Sequence, residues 1–251
     1  MFKVRGAAAL ALLVAACTMQ PTTPPRQPPA VVAPSSPAAG GTRYRLDPEL
    51  SELRILVYRA GTMAALGHNH VISNRALSGW VVVAPAAATF ALTVPAAGFV
   101  IDDAGARAEE GEDFSQPVPE DAKAGTLHNM LSPAVLDAAE YPEITVQSTA
   151  AIDTQAALEA TVAVNVAGHE STLRVPFALS NADGRLTATG SVAVRQTAIG
   201  LVPLSVFLGA IRVQDEMRVK FKFVATADQG SGSGSSNIDV PSGATNTATP
   251  R

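Results

Sequence analysis

The chain has a single cysteine, Cys17, in 251 residues. Disulfides therefore cannot hold it together, and stability must come from a hydrophobic core. A body running from residue 43 to 228 is long enough for this, since domains of that size bury roughly 70% of their unfolded surface. Aromatic residues are also few, with eight Phe, three Tyr and one Trp, so the inward-facing surface must be built mostly from aliphatic side chains and alanine. Positive charge is in deficit: 18 Lys and Arg stand against 22 Asp and Glu, a formal net charge of −4. Nucleic acid is not an expected partner, because phosphate binding requires a concentrated basic face. No Gly-x-Ser-x-Gly elbow, Walker loop or dinucleotide fingerprint occurs, which leaves nucleophilic and nucleotide chemistry without visible machinery. There is no long hydrophobic run either. About nine small or apolar residues follow Lys3 and Arg5, whereas a helix needs roughly twenty to cross a bilayer.

That short run, with its cationic start, reads as a signal peptide over residues 1–16. It ends in Val14-Ala15-Ala16-Cys17, which resembles the lipobox of bacterial lipoproteins, whose cysteine is acylated and becomes the mature N-terminus. Lipidation of Cys17 would hold the protein at a membrane surface. Thr18, standing where Asp would resemble an inner-membrane retention signal, points to the outer membrane, with the protein on the periplasmic side of the bacterial envelope. Residues 17–42, with PTTPPRQPP and APSSPAAGG, have the composition of an extended tether. Residues 229–251, rich in Gly, Ser and Thr, are expected to be a disordered tail.

The body between them is organised by a period of two. Leu158, Ala160, Val162, Val164 and Val166 alternate with Glu159, Thr161, Ala163 and Asn165. Leu173, Val175, Phe177 and Leu179 alternate with more polar neighbours, and Met217, Val219, Phe221 and Phe223 alternate with Arg218, Lys220 and Lys222. Arg185 to Arg195 follows a turn at Asn181-Ala182-Asp183-Gly184, and further strands are expected at 44–47, 52–58, 79–84, 89–95, 99–102 and 144–151. The fold class is therefore all-β. Eight or more antiparallel strands, each with one apolar face, must stack as a sandwich or close as a barrel. The charged alternate faces exclude a transmembrane barrel. One helical insertion is legible in the stripe Leu127, Met130 and Leu131, and Ser132-Pro133 predicts the start of a second short helix ending before Tyr141-Pro142.

The opening YRLDPELSELRILVYRAG, the segment LHNMLSPAVLDAAEYPEITVQSTA, and the closing GSVAVRQTAIGL and LGAIRVQDEMRVKFKFVATA together resemble the YceI-like lipid- or polyisoprenoid-binding proteins. The resemblance covers almost all of residues 43–228 and implies a lipocalin-like antiparallel barrel with a short helical insertion. It also implies a non-catalytic carrier for a long apolar lipid, such as an isoprenoid quinone, a polyprenyl or a fatty-acyl chain, with no other cofactor. The segment Ala198–Ile211, AIGLVPLSVFLGAI, supports this independently, because Ser205 is its only polar residue while Gly200, Pro203 and Gly209 interrupt regular structure. Such a segment must be covered, either by plugging the core or by lining a cavity. The candidate lipid contacts are Leu66, Trp80, Met130, Leu131, Ile199, Leu201, Val206, Phe207 and Leu208.

Leu66-Gly67-His68-Asn69-His70-Val71 carries two imidazoles at i and i+2, on one face if the segment is extended. They are candidate head-group or metal contacts, with His128 and His169 as distant partners. Two ligands do not complete a site, so a polar loop at the barrel rim is the simpler expectation and no metal is assigned. A metal-binding protein or a cupin-like metalloenzyme is the rival function. The acid-rich run Asp102 to Asp121 lacks the spacing of a calcium loop and is expected to be solvated.

Overall fold

The structure, a computed structural model, describes residues 41–153 and 159–228. The signal peptide, Cys17, the tether up to residue 40, Leu158 and the tail lie outside the described residues, and Thr42, read as the end of the tether, is already the first residue of a strand. The strands are β1 (Thr42–Leu46), β2 (Glu52–Val57), β3 (Arg59–Ala60), β4 (His70–Asn74), β5 (Ser78–Ala84), β6 (Ala87–Pro95), β7 (Phe99–Ile101) and β8 (Glu143–Ser148). They continue as β9 (Ile152–Asp153), β10 (Glu159–Val166), β11 (His169–Pro176), β12 (Ala178–Ala182), β13 (Arg185–Arg195), β14 (Ser205–Val206), β15 (Ile211–Val213) and β16 (Glu216–Ala227). Two helices, α1 (Ala104–Ala108) and α2 (Glu120–Leu131), separate the first strands from the rest.

Every pairing is antiparallel, and the main path runs β11-β10-β8-β6-β5-β1-β16-β2-β4-β7. The long strand β16 organises the sheet. Its first half pairs with β2 (Arg218↔Leu56 to Lys222↔Glu52) and its last residues with β1 (Leu46↔Ala225). Its other edge carries β13 along its whole length, from Arg185↔Thr226 to Arg195↔Glu216. Because β11 also packs beside β13, the sheet curls round on itself as an antiparallel barrel, with the helices inserted after β7. Tight approach at one crossing requires a glycine: a Cβ at Gly190 would collide with the ring of Phe221 and the carbonyl of Pro176.

The alternation read from the sequence sets the two faces. In β2, Leu53, Ile55 and Val57 face the interior, while Leu56 packs outside with Val71, Ala106 and Phe114 in a second, smaller core.

Two expectations are corrected. Residues 133–140 form successive turns rather than a second helix. The backbone N–H groups of Leu136, Asp137 and Ala138 turn back to donate to the carbonyls of Met130, Ser132 and Leu131. Asp137 has φ 45°, which no right-handed helix accommodates. Ser132 therefore closes α2 instead of opening a new helix. The acidic run is not a solvated loop either. It contains α1 and a short helical turn at Glu112–Phe114, and Phe114 lies buried against the outside of β2 and β4. Asp102 is 1% exposed and the Glu110 side chain 4%. The reason is the positive charge on the outer face: Arg54 donates to Glu52, Glu109 and Glu110, and Lys220 donates to Glu110 at 2.8 Å. Burial pushes the Glu110 carboxyl up, but the hydrogen bonds from Lys220 and Arg54 outweigh it and hold the group below the usual glutamate value.

Candidate functional site

The inward residues of the barrel do not meet at its centre. They surround a cavity of about 320 Å³, at the lower end of the range for small-molecule pockets. Among the described residues Gln196 is the only polar side chain in its wall; the remainder are aliphatic, aromatic or methionine, including Phe90, Val162, Val164, Leu173, Phe221 and Phe223. Many of these inner-face residues stay partly accessible, as Val219, Phe221 and Phe223 do on β16, because what they face is open space rather than another layer of side chains. A wall of this kind can hold an unbranched or isoprenoid hydrocarbon and offers nothing to a charged ligand along its length.

Ile199 and Leu201 are buried and line the cavity. Met130 reaches it from α2, whereas Leu131 packs against the surrounding core without lining it. Trp80 borders the cavity, yet its ring lies 5.1 Å beneath the Arg43 guanidinium, and its register opposite Arg45 sets it on the outer face of β5. Val81 and Val83 serve the inner face there. Four candidates do not belong to the cavity: Leu66, Val206, Phe207 and Leu208 are solvent-exposed, at 66%, 39%, 75% and 109%. The reason is the path of the chain. After Leu201 it leaves the barrel and forms β14 and β15, which pair with β3 as a separate three-stranded sheet. The apolar segment 198–211 is thus divided, one half inside and the other half at the surface.

The His pair does not line the cavity but stands next to it along the strands, where β4 pairs with β2. His70 lies opposite Val57 and has the same strand parity as the cavity residue Ile72. Its Nδ1 is 2.6 Å from Asp102 Oδ2, and its Nε2 is 3.3 Å from Thr126 Oγ1 on α2. Thr126 Oγ1 also donates to the carbonyl of Ala122, which fixes the hydroxyl against the ring. Asp102 Oδ1 also accepts from the backbone N–H of Val71 and from Arg107. Burial alone pushes this carboxyl up, but hydrogen bonds from His70, Val71 and Arg107 hold it below the usual aspartate value. Arg107 in turn donates to the carbonyls of Asn69 and Gln116.

The His68 ring lies 6.1 Å from that of His70, and its pKa is lowered by burial first and by its cationic neighbours second. His128 and His169 are exposed on other elements, and no group of three or more His, Cys, Asp or Glu converges among the described residues. Asp102, Arg107 and Thr126 were not singled out in the sequence. Asp102 is disguised by the other acids around it, and only its place at a strand end, five residues before an arginine, hints at a buried pair.

Residues 44–225 match the YceI-like domain family. No curated relative matches the chain. Among solved structures, the chain is similar to BcnA of Burkholderia cenocepacia at 19% identity and a TM-score of 0.53, over 72% of this chain and 99% of that one, a likeness of fold. A polyisoprenoid binding domain from Saccharophagus degradans implicated in plant cell wall breakdown aligns at 11% identity and a TM-score of 0.47, over 74% and 98%.

Proposed function

The chain belongs to the YceI-like domain family, and we propose that it is a non-catalytic carrier holding one long-chain apolar lipid, an isoprenoid quinone, polyprenyl or fatty-acyl chain, inside the barrel. The observation that carries this reading is the wall of the cavity, in which Gln196 alone is polar among the described residues. His68, beside the His70 ring that Asp102 and Thr126 hold in place, offers a hydrogen-bonding edge to a ligand head group. In the same reading Cys17 is acylated, and the carrier works on the periplasmic side of the envelope, anchored to the outer membrane. The metal-site alternative is less well supported, because no group of three or more His, Cys, Asp or Glu converges among the described residues and His128 and His169 stand elsewhere.

The test is native mass spectrometry of the purified protein followed by organic extraction. A stoichiometric hydrophobic ligand is expected, displaced in Val192→Trp, where a larger ring occupies the half-buried wall. Stoichiometric metal without an extractable lipid would overturn the proposal.

A further inference from the structure

The half of the apolar segment that leaves the barrel forms a knob that nothing among the described residues covers. Phe207 and Leu208 stand at its tip, 75% and 109% exposed, and both have positive φ, 50° and 55°. Bulky residues rarely adopt that conformation, and here they present side chains to water with no packing in return. Met63, Leu66 and Val202 are exposed as well, at 45%, 66% and 71%. The turn holding Met63 and Leu66 is fastened to the knob: the Met63 N–H donates to the carbonyl of Ala210 at 2.8 Å, and Gly61, at φ 100°, lies so close to that carbonyl that a Cβ would collide with it. Apolar side chains from two chain segments thus share one surface, beyond what isolated exposed residues explain.

Two further observations identify what covers it. Residues 59–74 and 199–214 contain no Asp or Glu, although the whole chain carries 22 acids and is net negative. Arg212 stands exposed on β15 with no ion pair among the described residues, and Arg59 lies beside it in the same small sheet. An apolar knob carried by two acid-free stretches of chain with exposed arginine on them complements an anionic lipid surface. The knob is also continuous with the cavity. The small sheet is entered from Val57 on one side and from Leu201 on the other, and both line the cavity. A tip that stands clear of all its neighbours is convex, and suits a yielding lipid phase better than a groove on a folded partner.

We infer that Phe207 and Leu208, with Met63, Leu66 and Val202 around them, insert into the interface of an anionic bilayer and set the Val57–Leu201 end of the cavity against it. The inference of a transfer route rests on the carrier reading; bilayer docking does not.

The test is vesicle flotation of the chain from residue 17 with Cys17→Ser, which removes any acyl anchor and retains every described residue. The probe is vesicles of phosphatidylethanolamine and phosphatidylglycerol. The parent is expected to float with them, and Phe207→Asp/Leu208→Asp to bind at least tenfold more weakly. Asp tolerates positive φ and these side chains support no core, so the variant should melt like the parent. The lipid extracted from the purified protein should be unchanged in it, so that loss of docking and failure of the carrier reading give different results. Equal flotation of parent and variant would overturn the inference. So would a parent that does not float but forms a dimer lost in the variant, which would assign the knob to self-association.

Discussion

Asp102→Asn tests whether the buried carboxylate, rather than the shape of the turn, holds the acidic segment and the His pair in place. Asn is close in volume and also tolerates the positive φ of 55° at this position, so the backbone is not the variable. What changes is the charge. Asp102 Oδ1 accepts from the Val71 N–H and Arg107, and Oδ2 from His70 Nδ1. The amide can accept at one side only, and Arg107, whose side chain is 10% exposed, is left without a counter-ion. Breaking a buried pair in this way costs about 3–5 kcal/mol. For a domain of this size each kcal/mol lowers Tm by roughly 2–4 °C, so a fall on the order of 10 °C is expected by calorimetry or circular dichroism. Replacing both partners, as in Asp102→Asn/Arg107→Met, should recover part of the loss, because no unpaired charge is then buried. The pH dependence has a definite sign. The folded carboxyl titrates below its ordinary value, so its contribution is complete above the unfolded value, about 3.9, and is lost as pH falls through the lower folded one. The gap between parent and Asp102→Asn should therefore narrow in acid. A Tm change under 2 °C at neutral pH, or a gap that widens in acid, would refute the argument.

Leu201→Asp and Leu208→Asp should separate: the first places a charge in the cavity wall and should expel the extractable lipid, while the second, wholly exposed, should keep it at normal stoichiometry. Gly190→Ala forces a methyl group against Phe221 and Pro176 and should cost about 1–3 kcal/mol in urea unfolding. Glu110→Gln removes the charge shared by Arg54 and Lys220; it should destabilise at neutral pH and less so in acid, where the parent's own carboxyl is neutralised, as paired melting curves at the two pH values can check. Cys17→Ser should abolish incorporation of labelled palmitate, and label retained in that variant would remove the lipoprotein assignment.

The strands were legible because each carries a one-sided apolar alternation that pleating turns directly into an inside and an outside. Arg185–Arg195 is found as read, and the half-buried positions Leu173, Val175, Phe177 and Leu179 alternate with exposed ones as the pattern requires. Irregular segments were less legible because their residues answer to distant partners. Glu110 reads as one more surface acid until β2 and β16 bring Arg54 and Lys220 beneath it. Ser132-Pro133 has the local signature of a helix start, but Asp137 and the free carbonyls at the end of α2 offer a tighter solution. In 198–211, hydrophobicity marked the segment as important without indicating where the chain turns out of the barrel. That turn depends on β3, whose Ala60 pairs with Arg212 across more than 150 residues.

The size of the cavity argues that it is kept for an occupant. Empty core volume costs about 24 cal/mol per Å³ in large-to-small substitutions, so about 320 Å³ left unfilled corresponds to an upper bound of roughly 8 kcal/mol. That is comparable with the entire stability of an ordinary domain, about 5–15 kcal/mol. Side chains to fill the space are chemically simple to supply: Ala88, Ala160, Ala188 and Ala225 all stand in the wall, where Leu or Phe would reach further inward. Small residues on an inner face that also carries Phe90, Phe221 and Phe223 describe a shaped void, not a poorly packed plug. An apolar chain entering it recovers the contacts the wall lacks. On the carrier reading proposed above, a bound lipid is a removable part of the core, and the protein's stability is linked to its load.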